Sequence, residues 1–206
     1  MSTSVLVIGT GAAGLRAAIE LAERGVQVLC VGKRRRDDAH TVLASGGINA
    51  ALATIDPEDG WEQHAADTLR EGYWLSDPVS VELLCREAPR AIEELVRWGA
   101  RFARESDGRL TQRFFGAHRY RRTCFAGDYT GREIQRVLVE RAAAVGVQIR
   151  DDVYVTRLLV HNGRVFGAYG FDVDGGSRSR TCLRSRCEMS SRTPPRSVPR
   201  PSAISA

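Results

Sequence analysis

The stretch that decides the fold is residues 5–18, VLVIGTGAAGLRAA. An apolar run ends in a glycine turn that passes directly into a helical pattern, which is typical of a strand, a tight turn and a helix N-terminus. Such a turn holds a pyrophosphate: its glycines permit the bend and the close backbone approach, and the helix dipole faces the anion. The stretch predicts a dinucleotide site, rather than a βα turn that binds nothing, at Gly9, Thr10, Gly11, Ala12, Ala13 and Gly14.

Composition and charge narrow the class of protein. Of the 206 residues, 43% are hydrophobic and 27% charged, which is ordinary for a globular protein. The net charge of +5 is concentrated in residues 177–206, which carry seven Arg and one Glu, so the rest of the chain is close to neutral. We therefore expect no nucleic-acid partner.

Five scattered cysteines without a CxxC pair indicate free thiols in a reducing compartment, and they predict no metal site. The apolar N-terminus lacks the basic region of a signal peptide, and no stretch approaches the ~20 apolar residues of a membrane span. We expect a cytoplasmic protein, or a peripheral one on the inner face of the cell membrane.

The pattern of elements predicts an α/β fold. A strand at 4–8, a helix at 11–24 and an apolar strand at 26–31 form one βαβ unit of a parallel sheet. Helices are predicted at 61–71, 77–87 and 89–98, and a capping box at 130–133 opens another that runs to 144. Two hairpins are predicted, one at 101–112 and one at 154–173, the second around Asn162-Gly163.

The end of the second strand departs from the usual dinucleotide fingerprint. Instead of an acid for the ribose hydroxyls, the chain has Lys33 followed by three arginines. This run fits either a clamp for the 2′-phosphate of NADP or a solvated basic loop. A second small-residue turn, Ser45-Gly46-Gly47, indicates that backbone is pressed against a ligand twice.

Four segments in this order and spacing resemble the succinate dehydrogenase/fumarate reductase flavoprotein family: GTGAAGLRAA at 9–18, HTVLASGGINAAL at 40–52, DGRLTQRFFGAH at 107–118 and AGDYTGREIQRVL at 126–138. The resemblance covers about residues 4–177. It implies an FAD-binding Rossmann-like fold of the glutathione-reductase type. It also implies oxidoreduction of succinate and fumarate, with hydride passing to or from flavin N5.

The resemblance implies specific roles for residues of this chain. The turn at 9–14 would hold the FAD pyrophosphate, and Lys33 stands where the family also lacks the ribose acid. His40, followed by Thr41, falls where members of the succinate dehydrogenase branch attach the flavin covalently. Ser45, Gly46 and Gly47 would lie near the isoalloxazine, although the family commonly has Gln at position 45. Phe115 resembles the aromatic that lines the dicarboxylate pocket.

Three arginines of the same loop, Arg119, Arg121 and Arg122, fit either attraction of an anionic substrate or a solvated surface. His118 is expected to be structural or to lie at the rim of the site. His64 is expected at the surface or in packing.

The resemblance also implies that this is only the N-terminal part of such a flavoprotein. We expect an FAD-binding domain at 1–176 and a disordered tail at 177–206, which we hypothesise to be translated out of frame. No residue is assigned as catalytic, because the family's capping domain follows this region. The complete protein would take a C4 dicarboxylate and assemble with iron–sulfur and membrane-anchor subunits. The alternatives are an inactive cofactor-binding fragment and a flavin oxidase like L-aspartate oxidase, which His40 disfavours.

Overall fold

The computed structural model of the chain describes residues 4–173 and 180–184. Within them the elements in chain order are β1 (Ser4–Ile8), α1 (Ala12–Glu23), β2 (Gln27–Val31), β3 (Ile48–Asn49), α2 (Trp61–Glu71), α3 (Pro78–Arg97), β4 (Thr123–Cys124), α4 (Thr130–Ala144), β5 (Gln148–Arg150), β6 (Val153–His161), β7 (Arg164–Asp172) and β8 (Arg180–Arg184). Two short 3₁₀ turns, Arg36–Asp38 and His40–Leu43, lie between β2 and β3.

A parallel sheet of order β1-β2-β5 carries the predicted βαβ unit. Val5 of β1 pairs with Val28 of β2, and Cys30 of β2 pairs with Ile149 of β5. Gly25 ends α1 with a φ of 77°, as a C-cap glycine does. The mixed helix-and-sheet class and the FAD-binding fold are confirmed.

The core lies between the parallel sheet and the helices α1, α3 and α4. Its fully buried side chains include Leu15 and Ile19 of α1, Ile92 of α3 and Val137 of α4. Helices α1 and α4 pack against each other, and this contact brings α4 beside the glycine turn from which α1 starts.

One helix replaces two that were predicted. The sequence indicated a break before Pro89, but α3 runs from Pro78 to Arg97 with Pro89 inside it. A proline in a helix removes one backbone donor and disfavours the preceding turn. The buried face nevertheless continues across it, from Val81 and Cys85 to Ile92 and Leu95, and this packing keeps the helix intact.

The predicted capping box at 130–133 does not form. Tyr129 is the N-cap of α4 and makes no side-chain cap. Thr130 Oγ1 accepts a hydrogen bond from the Ala126 amide at 3.0 Å, and Glu133 accepts one from the Arg101 amide at 2.7 Å. Both side chains therefore tie α4 to neighbouring segments.

The two predicted hairpins are present. Arg104 and Leu110 form an antiparallel bridge around the turn at Gly108, and β6 pairs with β7 antiparallel. Arg180–Arg184 adds to β7 as β8, which corrects the expectation of disorder for those five residues. The remainder of the segment 177–206 and the proposed boundary at 176 lie outside the described residues.

Candidate cofactor site

The glycine turn after β1 has the close geometry that the sequence predicts. Gly9 has a φ of 127°, which favours glycine, and its amide donates to the carbonyl oxygen of Val31 at 2.8 Å. A Cβ placed on Gly14 would lie 2.0 Å from the Gly9 oxygen. Only glycine at position 14 lets α1 start this close to the strand.

The turn opens on a groove of about 570 Å³ at the carboxyl ends of β1 and β2. Its far wall is the start of β6, residues 153–155. Six of the residues singled out from the sequence line it: Gly9, Thr10, Gly11, Lys33, His40 and Thr41. Ligands of open parallel sheets bind at this edge.

The groove suits an extended anion. Within the described part of the chain, the amides of Gly11, Ala13 and Gly14 donate to no protein acceptor. They stand at the N-terminus of α1, where the helix dipole favours negative charge. Lys33, Arg34 and Arg35 lie along the same groove. These donors and charges fit the two phosphates of a dinucleotide.

The fourth residue of the basic run has a different role. Arg36 Nε donates to Asp151 Oδ2 at 2.8 Å, and the Arg36 amide donates to Asp151 Oδ1 at 3.1 Å. Arg36 therefore fastens the segment after β2 to the turn that follows β5.

The turn is supported from behind by Cys30 of β2. Its Sγ donates to the Gly9 carbonyl at 3.1 Å. Burial raises the pKa of Cys30 to about 11, so the thiol stays protonated and remains a donor. A Cβ at Gly32 would lie 2.2 Å from Thr10 Oγ1, so the two loops are in direct contact.

The segment that carries His40 is held between the N-termini of two helices. Thr41 Oγ1 accepts a hydrogen bond from the Ala12 amide of α1 at 3.0 Å. On the other side, the Gly131 amide of α4 donates to the Ala44 carbonyl at 2.7 Å. His40 itself is exposed in the groove. The arrangement fixes the backbone around an accessible imidazole.

Gln135 of α4 is a residue that our sequence reasoning missed. It is 2% exposed, and its Nε2 donates to the Thr10 carbonyl at 2.7 Å and to the Arg36 carbonyl at 3.0 Å. The available signal was a polar residue on the apolar stripe of α4, between Ile134 and Leu138. A carboxamide on a buried stripe requires partners, and here they are the two loops of the groove.

The second glycine turn does not line the groove; it packs against the loop that carries Phe115. A Cβ on Gly46 would lie 2.5 Å from the Phe115 ring, and Arg113 Nη2 donates to the Gly46 carbonyl at 2.9 Å. Gly47 has a φ of 126° and faces Thr123 of β4. Ser45 is exposed, and Phe115 is 54% exposed. The structure thus brings Gly46 and Phe115 together.

A buried ionic cluster underlies this loop. Arg122 is 0% exposed, and its Nη2 lies 2.7 Å from Asp59 Oδ1 and 3.1 Å from Asp67 Oδ2. Arg122 is therefore neither a solvated loop charge nor free to attract a substrate, in contrast to both interpretations of the sequence. Arg121, by contrast, forms a half-exposed pair with Asp56.

Two histidines belong to the same cluster. His118 Nδ1 lies 3.3 Å from Arg122 Nη1, and its Nε2 lies 2.8 Å from Asn49 Nδ2 of β3. His64 packs edge-on against His118, with ring centroids 5.6 Å apart. Burial and the Arg122 charge lower the pKa of His64 to about 4, and the same causes lower the pKa of His118. Both are structural, as expected for His118, and His64 is in packing.

Among residues 4–173 and 180–184, no group of three or more His, Cys, Asp or Glu side chains is gathered for a metal ion. In the same residues, no helix combines the length and apolar character needed to cross a membrane.

The FAD binding domain family matches residues 4–187 of the chain. A subunit of the fumarate reductase (CoM/CoB) of Methanothermobacter marburgensis is 43% identical over 170 residues, which are 82% of this chain and 31% of that protein. The succinate dehydrogenase flavoprotein subunit of Rickettsia bellii is 38% identical over 181 residues, which are 84% of this chain and 30% of that protein. The chain thus spans about 30% of the length of these relatives.

Solved structures have the same arrangement. Mycobacterium smegmatis Sdh1 in complex with UQ1 is similar with a TM-score of 0.79 and 38% identity, over 83% of this chain and 31% of that one. The FrdA chain of an E. coli quinol fumarate reductase variant is similar with a TM-score of 0.82 and 29% identity, over 89% of this chain and 31% of that one.

Proposed function

Because the chain belongs to the FAD-binding domain family of the succinate dehydrogenase and fumarate reductase flavoproteins, we propose that it forms the flavin-binding part of an oxidoreductase acting on succinate and fumarate. The observation that carries the proposal is the single groove that gathers the turn at 9–14, Lys33, His40 and Thr41. Its free amides and basic rim match a pyrophosphate, and His40 lies on the same wall.

Each group of residues has a proposed task. The amides of residues 11–14 bind the FAD pyrophosphate, and Lys33 balances its charge at the end of β2. Thr41 fixes the segment on which His40 attaches the flavin covalently. Ser45, Gly46 and Gly47 offer backbone toward the isoalloxazine, and Phe115 on Gly46 forms an apolar wall for a C4 dicarboxylate. Bound FAD supplies two-electron chemistry at its N5.

Assembly and location follow from the relatives as further proposals. Both of the relatives described above are subunits of their enzymes. We propose that the complete protein passes electrons to an iron–sulfur subunit and is held at the membrane face by anchor subunits.

A second candidate function is cofactor binding without turnover. The coverage of about 30% of the relatives favours it, because no described residue is placed to transfer a proton to a substrate carbon. Succinate-dependent dye reduction by the FAD-loaded chain separates the two functions: reduction supports the oxidoreductase, and FAD binding without reduction supports the cofactor-binding fragment.

The cofactor site is tested by titrating the chain with FAD and then denaturing it. We expect saturable quenching of flavin fluorescence, and flavin that stays with the polypeptide after denaturation. His40→Ala should abolish the retained flavin while keeping reversible binding, and His161→Ala, on an exposed strand end, should keep both. Absence of any FAD binding would refute the proposed site. Complete release of flavin from the wild-type chain on denaturation would refute attachment at His40.

A further inference from the structure

Gln135 is a side chain of α4 that reaches both loops of the cofactor groove. Its Nε2 carries two protons, and it has two acceptors, the carbonyls of Thr10 and Arg36. Thr10 belongs to the glycine turn, and Arg36 ends the basic run after β2. The carboxamide therefore sets the distance between the two walls that would hold a dinucleotide.

The position of Gln135 keeps water away from these hydrogen bonds. The residue is 2% exposed, so water does not replace its donors. Its Oε1 is buried without a hydrogen-bond partner in the described part of the chain. A side chain that leaves one polar atom unsatisfied is held in place by the bonds of its other end, which makes those two bonds strong constraints.

The same helix also holds the third part of the groove. One turn before Gln135, the Gly131 amide donates to the Ala44 carbonyl, at the end of the segment that carries His40. One rigid helix thus contacts the phosphate turn, the basic run and the His40 segment.

We propose that Gln135 is a positioning residue for the cofactor, fixing the phosphate turn and the basic run in the spacing that receives FAD. It acts through the backbone at Thr10 and Arg36 and does not itself contact FAD. The inference rests on the proposed FAD site, and its test includes a readout that needs no cofactor.

The test compares Gln135→Met, which keeps length but removes both donors, with Gln112→Met. Gln112 is a matched control, since it is similarly buried and its Nε2 donates to the Ala50 carbonyl at 2.7 Å, away from the groove. We expect Gln135→Met to weaken FAD binding by about tenfold or more, since two buried carbonyls lose their donors. Gln112→Met should lower stability in urea unfolding without a comparable loss of FAD affinity.

Hydrogen exchange without cofactor gives the independent readout. In the wild-type chain we expect slow exchange of the Gly9 and Ala12 amides, which donate to Val31 and Thr41, and of the Gln135 carboxamide. Gln135→Met should speed exchange at Gly9 and Ala12 selectively, and Gln135→Glu should do the same if the Met variant does not fold.

The outcomes separate the two proposals. A wild-type chain that binds no FAD refutes the proposed function, while the exchange data still test Gln135. Equal FAD affinity in the Gln135→Met, Gln112→Met and wild-type chains overturns the inference. Rapid exchange of the wild-type Gln135 carboxamide overturns it as well.

Discussion

The hydroxyl of Thr41 caps α1 from a distance of 29 residues: its Oγ1 accepts a 3.0 Å hydrogen bond from the amide of Ala12. Gly11, at the N-cap position, makes no side-chain cap. Helix α1 therefore begins under the control of the segment that carries His40, so the phosphate turn and the proposed flavin-attachment segment are ordered together.

Replacing Thr41 tests this cap. Thr41→Val keeps the shape and removes the acceptor, so we expect a loss of about 1 kcal/mol in the free energy of unfolding and weaker FAD binding. Thr41→Ser should behave as wild type. Thr156→Val is the control, since Thr156 bonds Tyr169 on an exposed strand. Urea unfolding and FAD titration provide the measurements, and a stable, tightly binding Thr41→Val chain would contradict the cap.

Gly131 is predicted to tolerate no side chain. A Cβ there would lie 2.0 Å from the Thr41 carbonyl and 2.8 Å from that of Ala44, so Gly131→Ala must push the His40 segment away from α4. We expect a loss of about 2 kcal/mol or more and less covalent flavin, read from gel fluorescence after denaturation. At Gly60, an N-cap glycine, the nearest atom is the end of the flexible Glu62 side chain. A Gly131→Ala chain no less stable than Gly60→Ala would show that the contact is unimportant.

Two adjacent arginines should differ sharply in their contribution to stability. Arg122→Met leaves the buried carboxylates of Asp59 and Asp67 without their cation, so we expect a loss of about 3 kcal/mol or more. Arg121→Met breaks only the half-exposed pair with Asp56 and should cost about 1 kcal/mol or less. Chemical denaturation of both variants measures the difference, and equal losses would argue against the buried cluster.

The pH dependence of stability should reflect His64. Its pKa is lowered from 6.5 to about 4 in the folded chain, so between these values the unfolded chain binds more protons. The free energy of unfolding should therefore rise with pH through this window and be lost as pH falls toward 4, by roughly 2–3 kcal/mol. His118, whose pKa is also lowered, adds in the same direction.

His64→Leu provides the check on that assignment. The His64 ring Nδ1 has no hydrogen-bond partner in the described part of the chain, so the variant loses no bond there and should show a flatter profile from pH 4 to 6.5. His161→Gln, at the exposed end of β6, should keep the wild-type slope. Unfolding curves at several pH values measure both, and an unchanged slope in His64→Leu would exclude this residue as the source.

Local sequence was sufficient to predict the groove's first wall. The glycine turn, α1 and the strands around it depend on backbone geometry that only particular residues permit, such as the φ of 127° at Gly9. The hairpin at Asn162-Gly163 was predictable for the same reason. Pro89 shows the limit of this reasoning, because the break it favours locally was overridden by burial of one continuous face of α3.

What the sequence by itself determined is the place of the glycine turn and the family to which its motifs belong, since both follow from residues close together in the chain. The tertiary structure decided which distant side chains support that turn and its neighbouring loops: Thr41 on Ala12, Gln135 on Thr10 and Arg36, and Arg122 on Asp59 and Asp67. These partners are separated by 29 to 125 residues. Hydrogen bonds and ion pairs of this kind form only after the helices pack, so no local pattern announces them.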